Sequence, residues 1–93
     1  MIKSFKNGHT EALAAGRVPK GVPPDVAKRA VMKLFLLDTV TRVEDLCVPP
    51  GNRLHRLDGD RLGQWSISVN DQWRICFVWR DNAAFDVEFV DYH

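Results

Sequence analysis

Two histidines, the single tyrosine and a group of arginines in the second half of the chain have side chains able to do chemistry. They are His55, His93, Tyr92, Arg53, Arg56 and Arg74, with Asp91 immediately before Tyr92-His93. Histidine moves protons near neutral pH because its pKa lies there. Arginine holds phosphate oxygens through planar donors that stay charged. Tyrosine stacks on an unpaired base or donates a proton. Together these types suit metal-free cleavage of RNA. There a base takes the proton of a 2′-hydroxyl and its oxygen attacks the adjacent phosphorus. An acid then protonates the leaving 5′-oxygen, and cations stabilise charge on the phosphoryl oxygens.

Each residue also fits an ordinary structural role. His55 on a small sheet fits a surface side chain. Arg74, between Trp73 and Ile75, fits stacking on indole or pairing with Asp86 or Glu88 across a sheet. Tyr92 fits a core cap with its hydroxyl in water, and His93 a frayed end. Arg53 and Arg56 fall on opposite faces of a strand, so at most one shares a face with His55. His9 has no context that marks it. Taken alone, the residues describe a small α+β domain with a possible phosphate site.

The elements that must position them follow from periodicity. Ile2 to Phe5 reads as a short edge strand and Asn7 to Ala15 as a short helix stopped by Gly16. A Gly/Pro-punctuated loop runs from Gly16 to Pro24. From Asp25 to about Val40 there is no Gly or Pro. Val26, Ala27, Ala30, Val31, Leu34, Leu37 and Val40 recur at helical spacing there. Val43 to Leu46 suggests one more helical turn. A meander follows: Arg53–Leu57, a turn over Gly59–Gly63, then Gln64–Val69 with Trp65, Ile67 and Val69 facing one way. Asn70-Asp71-Gln72 forms a hairpin turn. Trp73, Ile75, Phe77 and Trp79 then alternate with Arg74, Cys76, Val78 and Arg80. After a turn at Asp81-Asn82, Phe85, Val87 and Phe89 alternate with Asp86, Glu88 and Val90. Helices followed by an antiparallel meander predict an α+β fold with the helices on one sheet face. The polar alternates then line a partly open opposite face, where a site would sit.

At 93 residues the chain is expected to form a single domain over residues 1–93. With 45% hydrophobic and 27% charged residues it has the composition of a folded globular protein. No apolar run spans a membrane. The start, Met-Ile-Lys-Ser-Phe-Lys-Asn, lacks the apolar segment of a signal peptide, which predicts a cytoplasmic protein. Cys47 and Cys76 show no metal-ligand spacing and are expected to be free, semi-buried thiols. The net charge of +1 argues against strong nonspecific nucleic-acid binding. It is nonetheless uneven. Residues 1–56 carry ten Lys/Arg and five Asp/Glu, and residues 57–93 carry three and seven. The basic half offers a surface for an acidic protein partner.

Ordered words along the chain carry a resemblance. Met1-Ile2-Lys3-Ser4-Phe5 opens it, and Pro49 to Leu57 resumes it. Gly59-Asp60-Arg61, Gly63-Gln64-Trp65-Ser66-Ile67, Asn70-Asp71-Gln72-Trp73-Arg74-Ile75 and Val90-Asp91-Tyr92-His93 complete it. The set resembles the HigB toxins of the RelE/ParE superfamily, close to the plasmid-maintenance killer proteins. The resemblance implies a RelE-like fold and a toxin of a type II toxin–antitoxin module. It implies a ribosome-dependent endoribonuclease that cleaves translated mRNA with no metal or cofactor. The implied partners are a HigA-like helix-turn-helix antitoxin, the ribosome and mRNA. Operator DNA would be reached only through the antitoxin, and no membrane is involved.

Carried over by position, the family's site falls on His55, Arg74, Asp91, Tyr92 and His93; from the residues themselves, Arg53 and Arg56 are expected as supporting cations. Several relatives have lysine in the pattern L-H-P-L-K-G-D where this chain has Asp58, in L-H-R-L-D-G-D. An anion there repels phosphate and predicts weakened cleavage, with Arg56 as partial compensation. The alternative is a non-catalytic toxin that blocks a protein target such as DNA gyrase, as ParE-type relatives do.

Overall fold

The computed structural model describes residues 1–91, so Tyr92 and His93 lie outside the described residues. Helix α1 spans Gly8–Ala14 and α2 spans Pro24–Thr39. Asn7 caps α1, its Oδ1 accepting from both the N–H and the hydroxyl of Thr10 at 2.8 Å. The helix ends in a Schellman motif. Gly16 takes φ +87°, its N–H reaches Leu13 O at 2.9 Å, and Arg17 N–H reaches Ala12 O at 3.0 Å. Pro24 occupies the first turn of α2, where its missing N–H costs nothing. Val26, Ala27, Ala30, Leu34 and Leu37 form the buried stripe of α2. Among the described residues no helix is long and apolar enough to cross a membrane.

Short 3-10 turns over Val43–Cys47 and Pro50–Asn52 lead into the sheet. Its strands are β1 (His55–Arg56), β2 (Gln64–Ser68), β3 (Trp73–Arg80) and β4 (Ala83–Asp91), antiparallel in the order β1-β2-β3-β4. Asn70 makes the β2–β3 turn, its Oδ1 accepting from Gln72 N and Trp73 N at 2.9 and 2.7 Å. Asp81 and Asn82 both take positive φ in the β3–β4 turn, the geometry that matches strand twist.

The core lies between the helices and one sheet face. Leu13, Leu34 and Leu37 from the helices meet Ile67, Ile75, Phe77, Val87 and Phe89 from the sheet. Each such buried side chain stabilises by roughly 1.5–3 kcal/mol. Trp73 stacks on Phe89 with ring centroids 4.6 Å apart. Thr10, fully buried, accepts from Phe89 N at 3.0 Å and so ties α1 to β4.

Four expectations are corrected. Ile2–Phe5 does not form a strand. It joins β4 through two isolated parallel bridges, Ile2 to Ala84 and Phe5 to Val87, and through the Ser4 hydroxyl, which accepts from Asp86 N. Asp38 takes the Ile2 N–H at 2.8 Å and diverts the segment from a ladder. The Arg53–Leu57 strand shortens to His55–Arg56, because Arg53 turns the chain with φ +47°. Phe85 does not share a face with Val87 and Phe89. Cys76 pairs with Glu88 but Val78 with Phe85, so β4 carries one extra residue. Asp86 takes φ +52° there. Ala84 thus faces the core and Phe85 turns outward, where the Arg80 guanidinium lies 4.0 Å from its ring centre. Finally, the thiols are not both semi-buried: Cys76 is fully buried and Cys47 exposed, and both are free.

Candidate active site

Strand register gathers the polar side chains on the sheet face opposite the helices. His55 pairs with Ser66, Ser66 with Cys76, and Cys76 with Glu88, so one row crosses all four strands. The next row sets Ser68 beside Arg74 and Arg74 beside Val90. This face was expected to stay partly open, yet Ser66 and Cys76 are fully buried there. Long side chains cover them. Arg74 lies across to Ser66, and Arg61 reaches from the β1–β2 connection to Glu88, pairing at 3.0 Å.

Arg74 is held at three points. Its Nε donates to Ser66 Oγ at 2.5 Å. Its Nη2 lies 3.4 Å from Arg53 O and 3.1 Å from His55 Nδ1. His55 Nδ1 in turn lies 2.9 Å from Arg53 O. The left-handed turn at Arg53 thus aims one carbonyl at both site residues. Nδ1 serves one of these neighbours at a time. With a proton it donates to the carbonyl; without one it accepts from Arg74. Among the described residues His55 Nε2 has no hydrogen-bond partner, and the ring is exposed. An exposed imidazole nitrogen with no internal partner is chemically able to exchange a proton with a bound group.

The other expected site residues divide. Arg53 joins the group through its backbone carbonyl, and its side chain is exposed. Arg56 sits on the other face of β1, its guanidinium 5.2 Å from the Trp65 ring centre, away from His55. Arg74 pairs with Val90, and Asp91 pairs with Trp73, so Asp91 occupies the strand position facing away from Arg74. Its Oδ2 accepts from Gln72 Nε2 at 3.1 Å. Arg74 does not bridge to Asp86 or Glu88 in any described contact; Glu88 is taken by Arg61. Asp58 is exposed and caps no backbone N–H of the 3-10 turn Gly59–Arg61.

Ser66, Arg61 and Glu88 were not singled out from the sequence. Ser66 and Glu88 were marked only by the polar alternation, and cross-strand register sets them on the Arg74 face, whereas Arg61 stands in the 3-10 turn Gly59–Arg61 and reaches Glu88 from there. They also shape the thiol beneath. Burial pushes the Cys76 pKa up, opposed by Arg61, by the Ser66 hydrogen bond and by Arg74, and reinforced by Glu88.

Residues 3–93 match the model of a family described as the RelE-like toxin of type II toxin-antitoxin system HigB. The chain belongs to the HigB-like toxin family. As a member of that family it is a toxin of a type II toxin–antitoxin module. This HigB-like chain is 39% identical to Endoribonuclease HigB of Proteus vulgaris, with the whole of both proteins covered. It is 38% identical to Toxin HigB-1 of Vibrio cholerae serotype O1 (strain ATCC 39315 / El Tor Inaba N16961), over 77% of this chain and 75% of that protein. Among solved structures it resembles a YafQ variant from E. coli, with a TM-score of 0.63 and 16% identity, covering 98% of this chain and 93% of that one. A chain of a YoeB-YefM complex from Staphylococcus aureus gives a TM-score of 0.62 at 15% identity, covering 100% and 98%. At those identities the likeness concerns the fold, and it agrees with the expected RelE-like α+β architecture.

Proposed function

We propose that this HigB-like toxin is a metal-independent endoribonuclease that cuts translated mRNA and thereby arrests growth. The observation that carries the reading is the contact of Arg74 with His55 at the exposed margin of the sheet. A permanent cation and a proton-transfer group stand 3.1 Å apart, each fixed by Ser66 or the Arg53 carbonyl. Membership of a toxin family with an endoribonuclease among its relatives supports it.

In this reading Arg74 stabilises the charge on the phosphoryl oxygens. His55 Nε2 is one proton-transfer group, with Nδ1–H steadied by the Arg53 carbonyl. His93 is the second, and Tyr92 orients the nucleotide. Those two assignments rest on the sequence resemblance. Asp91 supports the end of β4 through Gln72. The O2′–P bond forms as the P–O5′ bond breaks. One group takes the 2′-hydroxyl proton and the other protonates the leaving oxygen, giving a 2′,3′-cyclic phosphate and a 5′-hydroxyl.

The net charge of +1 supplies little affinity for free RNA. The ribosome would therefore present and orient the mRNA, adding the proximity that the protein lacks. A HigA-like helix-turn-helix antitoxin is the partner that keeps the toxin silent, and operator DNA is reached only through it. The test is growth arrest and mRNA cleavage by the Arg74→Ala and His93-deletion variants at matched soluble levels. Both are expected to lose toxicity, with cleavage down by about 10²–10⁴-fold. Unchanged toxicity in both would overturn the catalytic reading in favour of a target-blocking toxin. Equal cleavage of naked and translated RNA at physiological salt would overturn the ribosome dependence.

A further inference from the structure

The outer surface of α2, across the core from the His55–Arg74 face, carries two apolar side chains that the fold does not use. Phe35 is 72% exposed and Met32 64%. They stand three residues apart, on neighbouring positions of one helix face. Both line a groove of about 470 Å³ with Leu36 and Pro49. Met32 also borders an adjoining hollow of about 320 Å³ beside Arg17, and Phe35 another of about 310 Å³ beside Ile2. The two side chains form a ridge between three concavities. Contiguous apolar relief of this kind on a small protein marks an interaction surface.

The charge around the ridge is predominantly positive, with Asp38 beside Phe35 as the one carboxylate among the residues lining the three concavities. Arg29 and Lys33 line the main groove, and Arg17 and Lys28 line the hollow beside Met32. The described ion pairs are Arg42–Glu44 and Arg61–Glu88, so none of these four cations meets a carboxylate among the described residues. Burial first, and the neighbouring Arg29 second, hold the Lys33 pKa below the usual lysine range, and its Nζ donates to Asn52 Oδ1. Asp38, the carboxylate beside Phe35, is engaged by the Ile2 N–H.

We propose that this face of α2 is the docking surface for an acidic amphipathic segment of the antitoxin, its apolar side chains packing over Met32 and Phe35 and its carboxylates meeting Arg17, Lys28 and Arg29. The inference rests on the toxin reading above and names where and by what chemistry the antidote is held. A second copy of this chain fits poorly, because a symmetric contact would set the same cations against each other. An RNA backbone would satisfy the cations and leave the apolar groove empty. An acidic amphipathic polypeptide segment satisfies both features.

The test uses the full chain and whichever small protein is encoded beside its gene, which the toxin reading expects to be a helix-turn-helix antitoxin. Affinity is measured by titration for the wild type, Phe35→Glu, Phe35→Ala and Arg29→Glu, together with growth arrest by each variant expressed alone. Each variant is expected to remain toxic alone, which shows that it is folded. The two Glu variants should bind the antitoxin at least about thirtyfold more weakly and escape neutralisation, as for the central anchors of an interface. Phe35→Ala should weaken binding in the same direction, and wild-type affinity should fall with salt. Toxic variants that bind within about twofold of wild type would overturn the proposal. So would a wild-type dimer in sedimentation that Phe35→Glu converts to monomer. A wild-type chain that neither arrests growth nor binds the neighbouring protein would remove the toxin reading itself, a different result from selective loss of binding in toxic variants.

Discussion

Arg74 Nη2 stands 3.1 Å from His55 Nδ1, and both atoms approach the same Arg53 carbonyl, at 3.4 and 2.9 Å. The imidazole tautomer and the guanidinium position are therefore linked. When Nδ1 carries the proton it takes the carbonyl, and Nε2 becomes the basic nitrogen. When Nδ1 lacks it, Arg74 is drawn onto the ring. The strained φ of +47° at Arg53 keeps the shared acceptor in place.

Arg74→Lys should lose most activity despite keeping the charge. A lysine ammonium is a point donor. It cannot span Ser66 Oγ and the Arg53 carbonyl while presenting a planar edge to phosphate. Single-turnover cleavage of translated mRNA is expected to fall by about 10²-fold. Activity within twofold of the parent would show that charge alone suffices.

Ser66→Ala removes the fixed point under the Arg74 Nε. A hydrogen bond to a charged group contributes about 1.5–3 kcal/mol. The cleavage step should slow by roughly tenfold or more, since the guanidinium is no longer held against the sheet. Ser66 acts here as a positioning residue, so the loss should appear in kcat, with KM little changed. A loss confined to KM would assign Ser66 to binding.

The two thiols should behave differently. Cys47 is exposed and should react at once with a thiol reagent, whereas Cys76 should react only after unfolding. Burial raises the Cys76 pKa, so the folded state holds that proton more tightly than the unfolded chain. This contribution to stability is fully present below the ordinary thiol pKa of about 8.5. It is lost as pH rises from there through the folded value. Denaturant unfolding at pH 7.5 and 9.5 should therefore show a larger alkaline loss in the parent than in Cys76→Ala. Equal losses would place the thiol outside the pH response.

Asp86→Gly should stabilise the fold. Asp86 holds φ +52° at the β4 bulge, which costs a non-glycine residue free energy. Its backbone N–H still donates to Ser4 Oγ after the change. A gain of about 0.5–1 kcal/mol, or roughly 2–8 °C in Tm, is expected. A fall in Tm by thermal unfolding would mean that the Asp86 carboxylate contributes more than the strain costs.

Much of this architecture was readable before the structure. α2 was legible because its apolar repeat is uninterrupted and its start is marked by Pro24. The β2–β3 and β3–β4 hairpins were legible because Asn70 and Asp81-Asn82 are turn-formers between alternating runs. The N-terminal strand was misread because Ile2 and Phe5 look like a ladder, while the competing Asp38 is distant in sequence. The outward turn of Phe85 was hidden because a bulge at Asp86 leaves no mark in residue alternation.

For the site, residue types and order along the chain named His55 and Arg74 and excluded Arg53 and Arg56 from one strand face. Those are local properties, set by side-chain chemistry and by the two-residue period of a strand. Which arginine meets the imidazole was not local. His55 and Arg74 lie on strands separated by β2 and meet only because His55 pairs with Ser66 while Ser68 pairs with Arg74. Register across three strands depends on the lengths of two connections and on core packing beneath them. Composition and periodicity thus carried the fold class and the chemical inventory. Folding alone supplied the Ser66 anchor and brought Arg74 to the Arg53 carbonyl, because these are contacts between residues far apart in the chain.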